Sequence, residues 1–209
     1  MKPFTSGTSV AAAIPQTDID TDIIFPARFL VTLDKKGLGK FAFFEWRNTQ
    51  RESGVPFVLD TPPFDKAEIL VAGDKFGVGS SREHAVWALA DLGIRCVIAP
   101  SFGEIFYSNC FKNGVLPITL PPAAHQHVLR AAELGETIRV NLITNHVLVP
   151  GLEAFDIVIP DDRRSALLNG LDEIGTILAE HETAIAGFEK RQRQEAPWLF
   201  LKGSASQQG

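Results

Sequence analysis

Cysteine is scarce in this chain: Cys96 and Cys110 are the only two in 209 residues. That excludes a disulfide framework, and their separation excludes a CxxC pair. Nor can two thiolates hold an iron–sulfur cluster that needs three or four. Cys96, inside the apolar run CVIAP, reads as a small buried residue. Long hydrophobic runs are missing as well, and no stretch approaches the ~18 consecutive apolar residues of a membrane span. The start, MKPFTSGTSV, has neither the apolar segment of a signal peptide nor an arginine-rich transit pattern. A cytoplasmic location is therefore the expectation. Positive charge is thin: 20 Lys plus Arg stand against 25 Asp plus Glu, for a net charge of −5. The one basic stretch, EKRQRQ, is short and mixed. Nucleic-acid binding needs clustered cations, so that class is excluded.

What is present suits a globular protein, with 45% apolar and 22% charged residues. Residues 1–33 read as irregular and then extended, with Asp18, Asp20 and Asp22 at alternate positions before an apolar run. Phe41, Phe43, Phe44 and Trp46 form an aromatic patch that reads as a core or interface face. Residues 47–66 contain three prolines and read as a connecting loop with at most one short strand. From there the pattern is regular. Apolar runs at 67–73, 94–100 and 115–120 predict buried strands. Helices are predicted over 80–92 and 102–114, each closed by a glycine. This alternation predicts βαβ units and a parallel sheet. A helix at 123–135, a hairpin at 137–151, a strand at 154–160 and a helical C-terminal region broken near Gly170 follow, with Asp161 or Asp162 as cap. The expectation is an α/β (α+β) fold with a βαβαβ core. It is a single domain over 1–202, followed by a polar, disordered tail at 203–209.

The stretch FGVGSSREH (76–84) joins a strand to a helix through two glycines and two serines. It lacks the GK[ST] of a P-loop and the third glycine of a dinucleotide fingerprint. The G-x-S-x-G of a nucleophile elbow is missing too. His84 lies one turn along the predicted helix from Ser80, badly placed to take its proton. Ser80 to Glu83 matches the capping box, with Ser80 as N-cap. A helix start beside a parallel strand's C-terminal end, with Arg82 adjacent, suits a carboxylate. On the residues alone, two readings stand: a helix cap, or an anion-binding loop.

The run GSSREHAVWALADLGIRCVIAPSFGEIFYSNCFKNGVLPI (79–118), with DIDTDIIFPARFL (18–30), FAFFEWR (41–47) and HETAIAGFEKRQRQEAPWL, resembles a known family over nearly the whole chain. It is similar to the isopropylmalate dehydratase small subunits, the swivel-domain partners of the aconitase-like hydro-lyases. The resemblance implies a swivelling β/β/α barrel-like domain. It also implies dehydration and rehydration interconverting 2- and 3-isopropylmalate, in leucine biosynthesis. In this family the first serine of the motif is the general base, here Ser80. The second serine and the arginine, here Ser81 and Arg82, hold a substrate carboxylate. Ser108 and Asn109 align with a substrate-contacting pair. The loop ARFLVT reads the substrate side group; Val31 suits an alkyl group, and Arg28 lies nearby. Relatives often have cysteine where this chain has Val78, a position with no expected part in the chemistry.

A serine hydroxyl is a weak acid, and a helix terminus supplies only about 0.3–2 kcal/mol, against ~1.4 kcal/mol per pKa unit. Removing a proton beside a carboxylate needs a stronger stabiliser of developing charge, such as a Lewis acid. The five histidines are scattered, and His125 and His127 face different ways on one helix, so this chain is expected to bind no metal. The resemblance places a [4Fe–4S] cluster in a separate large catalytic subunit, which would be the partner, with a small dicarboxylate as substrate. Two alternatives remain: a sister hydratase of citraconate or dimethylmalate type, and a lone swivel domain binding a carboxylate or another protein.

Overall fold

The structure is a computed structural model that describes residues 1–31 and 34–200; the expected tail at 203–209 lies outside the described residues. The chain divides into two compact units, Met1–Asp172 and Glu173–Gly209. The first is built on a seven-stranded sheet curled into a half-barrel, in the order β4-β3-β2-β1-β5-β6-β7. The strands are β1 (Ser6–Ile14), β2 (Ile69–Ala72), β3 (Cys96–Ala99), β4 (Leu116–Thr119), β5 (Thr137–Asn141), β6 (His146–Leu148) and β7 (Phe155–Asp156). The first unit's helices are α1 (Thr21–Ile24), α2 (Phe44–Ser53), α3 (Glu83–Asp91), α4 (Glu104–Lys112), α5 (Pro122–Glu133) and α6 (Asp161–Asn169).

Strand β1 joins the parallel and antiparallel parts of this sheet. Its first half pairs antiparallel with β5 (Val10 opposite Thr137), and its second half pairs parallel with β2 (Ala11 opposite Ile69). Strands β2 to β4 continue in parallel, joined by α3 and α4 as the βαβαβ pattern predicts. Both faces of this half are covered. Leu70, Ala72, Val97 and Ala99 face a cluster with Ala85, Val86, Leu89 and Phe106. Ile69, Val71, Cys96 and Ile98 face a second cluster with Val128, Ala131 and Ala132 of α5. Each fully buried Val, Leu or Ile contributes roughly 1.5–3 kcal/mol, which fixes the strand register.

Several expectations fail at the N-terminal side. Residues 6–14 form the central strand of the sheet, where irregular chain is expected. Its core positions are Ala11, Ala12 and Ile14; the alanines carry little β propensity, and Ala11 leaves room for α5 to approach on its face of the sheet. Residues 18–30 are helical at Thr21–Ile24 and turn at Ala27–Phe29, where extended chain is expected. Residues 44–53 form helix α2, and the following segment holds 3-10 turns at Val58–Asp60 and Phe64–Lys66 instead of a strand. The aromatic patch packs as core: Phe43 is buried against Trp46 and Phe57, and Phe41 stacks on Phe29 at 4.3 Å. Downstream, β7 is only two residues long, and Pro160 holds the N-cap position of α6 with Asp161 and Asp162 in its first turn.

The second unit carries α7 (Glu173–Glu195), kinked at His181, and a 3-10 turn at Pro197–Phe200. Arg193 lies over the Phe200 ring at 4.8 Å and pairs with Glu189 at 3.7 Å. Among the described residues, no helix is long and apolar enough to cross a membrane.

Candidate active site

The stretch 74–82 leaves β2 and is stitched on both sides. On one side Asp18 N–H donates to the Asp74 carbonyl (2.9 Å), Gly77 N–H to Ile19 (2.7 Å) and Thr21 N–H to Val78 (2.9 Å). On the other, Phe76 N–H donates to Ser101 (3.0 Å), and Gly103 N–H returns to Phe76 (2.9 Å). Two glycines are required by this closeness. A Cβ on Gly77, whose φ is +73°, would lie 2.2 Å from Cγ of Phe106. A Cβ on Gly103 would lie 2.3 Å from the Gly77 carbonyl oxygen. Left-handed backbone at two non-glycine residues, Asp18 (φ 56°) and Lys75 (φ 55°), adds strain where the two segments meet. Their side chains pair at 3.1 Å, and Lys75 holds the exposed Asp18 carboxyl below its ordinary pKa.

The capping box is not what forms. Helix α3 begins at Glu83 with Arg82, in extended conformation, at the N-cap and without a side-chain cap. Of the would-be partners Glu83 is engaged elsewhere, its Oε1 accepting from Asn113 Nδ2 (2.7 Å), while the Ser80 backbone is held by Thr21 Oγ1 donating to its carbonyl (2.9 Å). Tertiary bonds thus override a local pattern. Ser80 and Ser81 are exposed in the extended chain just ahead of the helix, where neither hydroxyl bonds a described residue. His84 is turned from Ser80 into a stack between Phe25 (5.9 Å) and Trp87 (4.5 Å).

Arg82 Nη1 donates to Asp22 Oδ1, which also accepts from Ala27 N–H at 2.9 Å. These bonds, Arg82's first, hold the Asp22 carboxyl below its ordinary range. Asp20 caps α1 by accepting from Ile23 N–H at 2.7 Å. The alternate aspartates are therefore supports for the serine stretch, a role their spacing did not disclose. Arg28 pairs with Glu45 and lies over Phe29 (4.8 Å) and Phe44 (5.0 Å). Asp20, Asp22, Arg28 and Glu45 line one side cleft of about 280 Å³. The fold thus joins Ser80, Ser81 and Arg82 to Asp20–Asp22, with Arg28 across the cleft. Ser108 and Asn109 are half-buried on α4, behind the Phe106 that packs on Gly77. Val31 is 90% exposed.

The cysteines do not fit a cluster. Cys96 and Cys110 are fully buried, each in a different core cluster, and burial raises both thiols well above their usual pKa. Among the described residues no group of three or more His, Cys, Asp or Glu side chains could hold a metal ion. His125 is buried against the Ala72 carbonyl (2.8 Å), whereas His127 is exposed and stacks on Phe155.

Two family models match this chain. The aconitase C-terminal domain matches over residues 1–123, and the C-terminal domain of the 3-isopropylmalate dehydratase small subunit matches over 180–202. The 3-isopropylmalate dehydratase small subunit of Paramagnetospirillum magneticum is 48% identical over 202 residues, covering 95% of this chain and 100% of that one. The chain belongs to the 3-isopropylmalate dehydratase small-subunit family. The small subunit of Mesorhizobium japonicum is likewise 48% identical over 203 residues, covering 95% of this chain and 100% of that one. The crystal structure of a 3-isopropylmalate dehydratase from Methanocaldococcus jannaschii matches the fold with a TM-score of 0.63, at 24% identity over 88% of this chain and 99% of that one. The mixed α/β fold that the resemblance implies is the fold observed, with its seven-stranded sheet curled into a half-barrel.

Proposed function

We propose that this chain is the small subunit of a heterodimeric hydro-lyase that interconverts 2-isopropylmalate and 3-isopropylmalate, in the cytoplasm, for leucine biosynthesis. Residues 1–202 act as one swivel domain. Ser80 takes the proton from the substrate carbon as the C–O bond on the neighbouring carbon breaks and a double bond forms. The departing hydroxide takes up a proton to leave as water, and water then adds back with the proton and hydroxyl positions exchanged. Ser81 and Arg82 hold a carboxylate, with Ser108 and Asn109 as further contacts. Arg28 and the stretch around Val31 face the side group.

The observation that carries this reading is the state of Ser80–Arg82. Two serine hydroxyls stand exposed beside a guanidinium of which, among the described residues, only Nη1 has a partner. Its other edge can grip a carboxylate in the bidentate geometry that arginine favours. This chain's two thiols are buried and unsuited to a [4Fe–4S] cluster, which supports assigning the cluster to the large subunit. The decisive experiment mixes the chain with that large subunit and follows 2-isopropylmalate against citraconate and dimethylmalate. Preferential turnover of 2-isopropylmalate by the pair, with none by the colourless chain alone, supports the reading. Cluster absorbance in the isolated chain, or preference for another diacid, overturns it.

A further inference from the structure

Asn113 stands at the C-terminal end of α4 and uses every hydrogen-bonding position of its side chain. Its Oδ1 accepts from Lys35 Nζ at 3.0 Å and from Trp87 Nε1 at 2.9 Å. Its Nδ2 donates to Glu83 Oε1 at 2.7 Å and to the Asn109 carbonyl at 2.9 Å. An asparagine amide offers two donors and two acceptor lone pairs, so this one is saturated. The partners also fix its orientation, because an ammonium and an indole N–H demand the oxygen. Lys35 lies in addition over the Trp87 ring at 4.6 Å.

What these four bonds join is distinctive. Glu83 is the first residue of α3 and follows Ser80–Arg82 directly. Those three residues lack a cap of their own, so their position is set by what grips them at each end. Thr21 and Asp22 grip the near side through the Ser80 carbonyl and Arg82. Asn113 grips the far side through Glu83. Lys35 brings the 34–38 segment onto the same amide.

We propose that Asn113 is a positioning residue that holds the serine stretch in register and latches the 34–38 segment to it. This rests on Ser80 being the base. A base displaced by about 1 Å loses on the order of 100-fold in rate, which is the loss a missing grip would produce. The requirement is specific to an amide. A carboxylate at 113 still accepts from Lys35 and Trp87, but it faces the Glu83 carboxylate with no proton to donate.

The test uses the assembled two-subunit enzyme, with kcat and KM for 2-isopropylmalate measured well below the Tm of each variant. Asn113→Asp is expected to lower kcat about 100-fold. Adding Glu83→Gln restores a donor from the other side, and the double variant is expected to recover at least about tenfold of that loss through one regained charge-assisted hydrogen bond. Lys35→Met, on an exposed side chain that leaves the Glu83 bond intact, is expected to raise KM several-fold with kcat nearly unchanged. A kcat within about threefold of wild type in Asn113→Asp overturns the proposal. So does a double variant no faster than that single one, or a Lys35→Met enzyme with unaltered KM. Should Asn113→Asp not fold, the Lys35→Met result decides. Ser80→Ala separates the two levels: turnover surviving in it refutes the base reading itself, whereas a dead Ser80→Ala with a fully active Asn113→Asp refutes only the role of Asn113.

Discussion

On its parallel side β1 opens a series of strands, β2 and β3, that are buried at every residue; on its antiparallel side it meets β5, where buried and solvent-facing residues alternate. The difference decides where polar chemistry can sit. A strand covered on both faces has no solvated position along its length, so polar groups collect where it ends. There the parallel half gathers Asp18, Asp22, Lys75, Ser80 and Arg82, of which Asp18 and Lys75 are the two strained non-glycine residues. A half-exposed strand spreads its polar residues along its face, as Thr137 and Arg139 do. Open α/β sheets place ligands outside the carboxyl ends of their strands, and only the parallel half has such an edge.

The comparison breaks most sharply at Ser80. Ser80→Ala is expected to lower kcat of the assembled enzyme by about 10²–10⁴-fold, the usual worth of a general base. The isolated chain should keep its Tm, because the exposed hydroxyl bonds no described residue. Substantial remaining turnover would place the base elsewhere. Second in size is Gly77→Ala. The new methyl would meet the Phe106 ring at 2.2 Å on backbone at φ +73°, and overpacking with left-handed strain costs roughly 2–4 kcal/mol. Chemical denaturation reads this directly, and an unchanged midpoint means that Phe106 gives way freely.

The antiparallel half supplies the contrast. Arg164 of α6 donates from Nε to the Leu142 carbonyl (3.0 Å) and Asn145 Oδ1 (2.9 Å), and from Nη2 to the Ile143 carbonyl (2.8 Å). It fastens the β5–β6 turn far from any proposed chemistry. Arg164→Ala should cost about 1–3 kcal/mol of stability and leave kcat and KM of the assembled enzyme unchanged. A fall in kcat at full occupancy of the partner would show that the two halves are coupled.

The same contrast explains what is legible in the sequence. Strands β2 to β4 announce themselves because burial on both faces demands unbroken apolar runs, and Gly93, Pro100 and Gly114 punctuate them. Strand β1 hides, since serine, glycine and alanine form its register and only its two neighbours make it a strand. Helix α2 hides behind polar residues and starts from a left-handed Phe43 with no side-chain cap. At the site, the glycines, serines and Arg82 are visible as a loop entering a helix. The grips on that loop are not. Thr21, Asp22 and Asn113 lie 59, 60 and 30 residues from the groups they hold, and no local pattern encodes such pairs. For the same reason Ser80–Glu83 reads as a capping box although Glu83 is bound to Asn113 and the helix starts only at Glu83.

The smallest effect expected is also the most specific in its form. The Arg82 guanidinium and the Ala27 amide lower the Asp22 carboxyl below its ordinary 3.8. A carboxyl whose folded pKa is depressed adds stability above its unfolded pKa and loses it as pH falls through the folded one. The Asp22 side chain is 56% exposed, so its worth is held to about 0.3–1 kcal/mol by solvent screening. Asp22→Asn should therefore lower the Tm slightly at neutral pH, and the gap to wild type should close as the pH drops below 3.8. Salt should narrow the same gap at neutral pH, since exposed pairs are screened. Asp156→Asn, the counterpart across the sheet, removes a partner of His146 at 3.4 Å that is 84% exposed, and should leave the Tm unchanged under either treatment. A gap for Asp22→Asn that ignores both pH and salt would mean that Asp22 holds the serine stretch through shape, with its charge irrelevant.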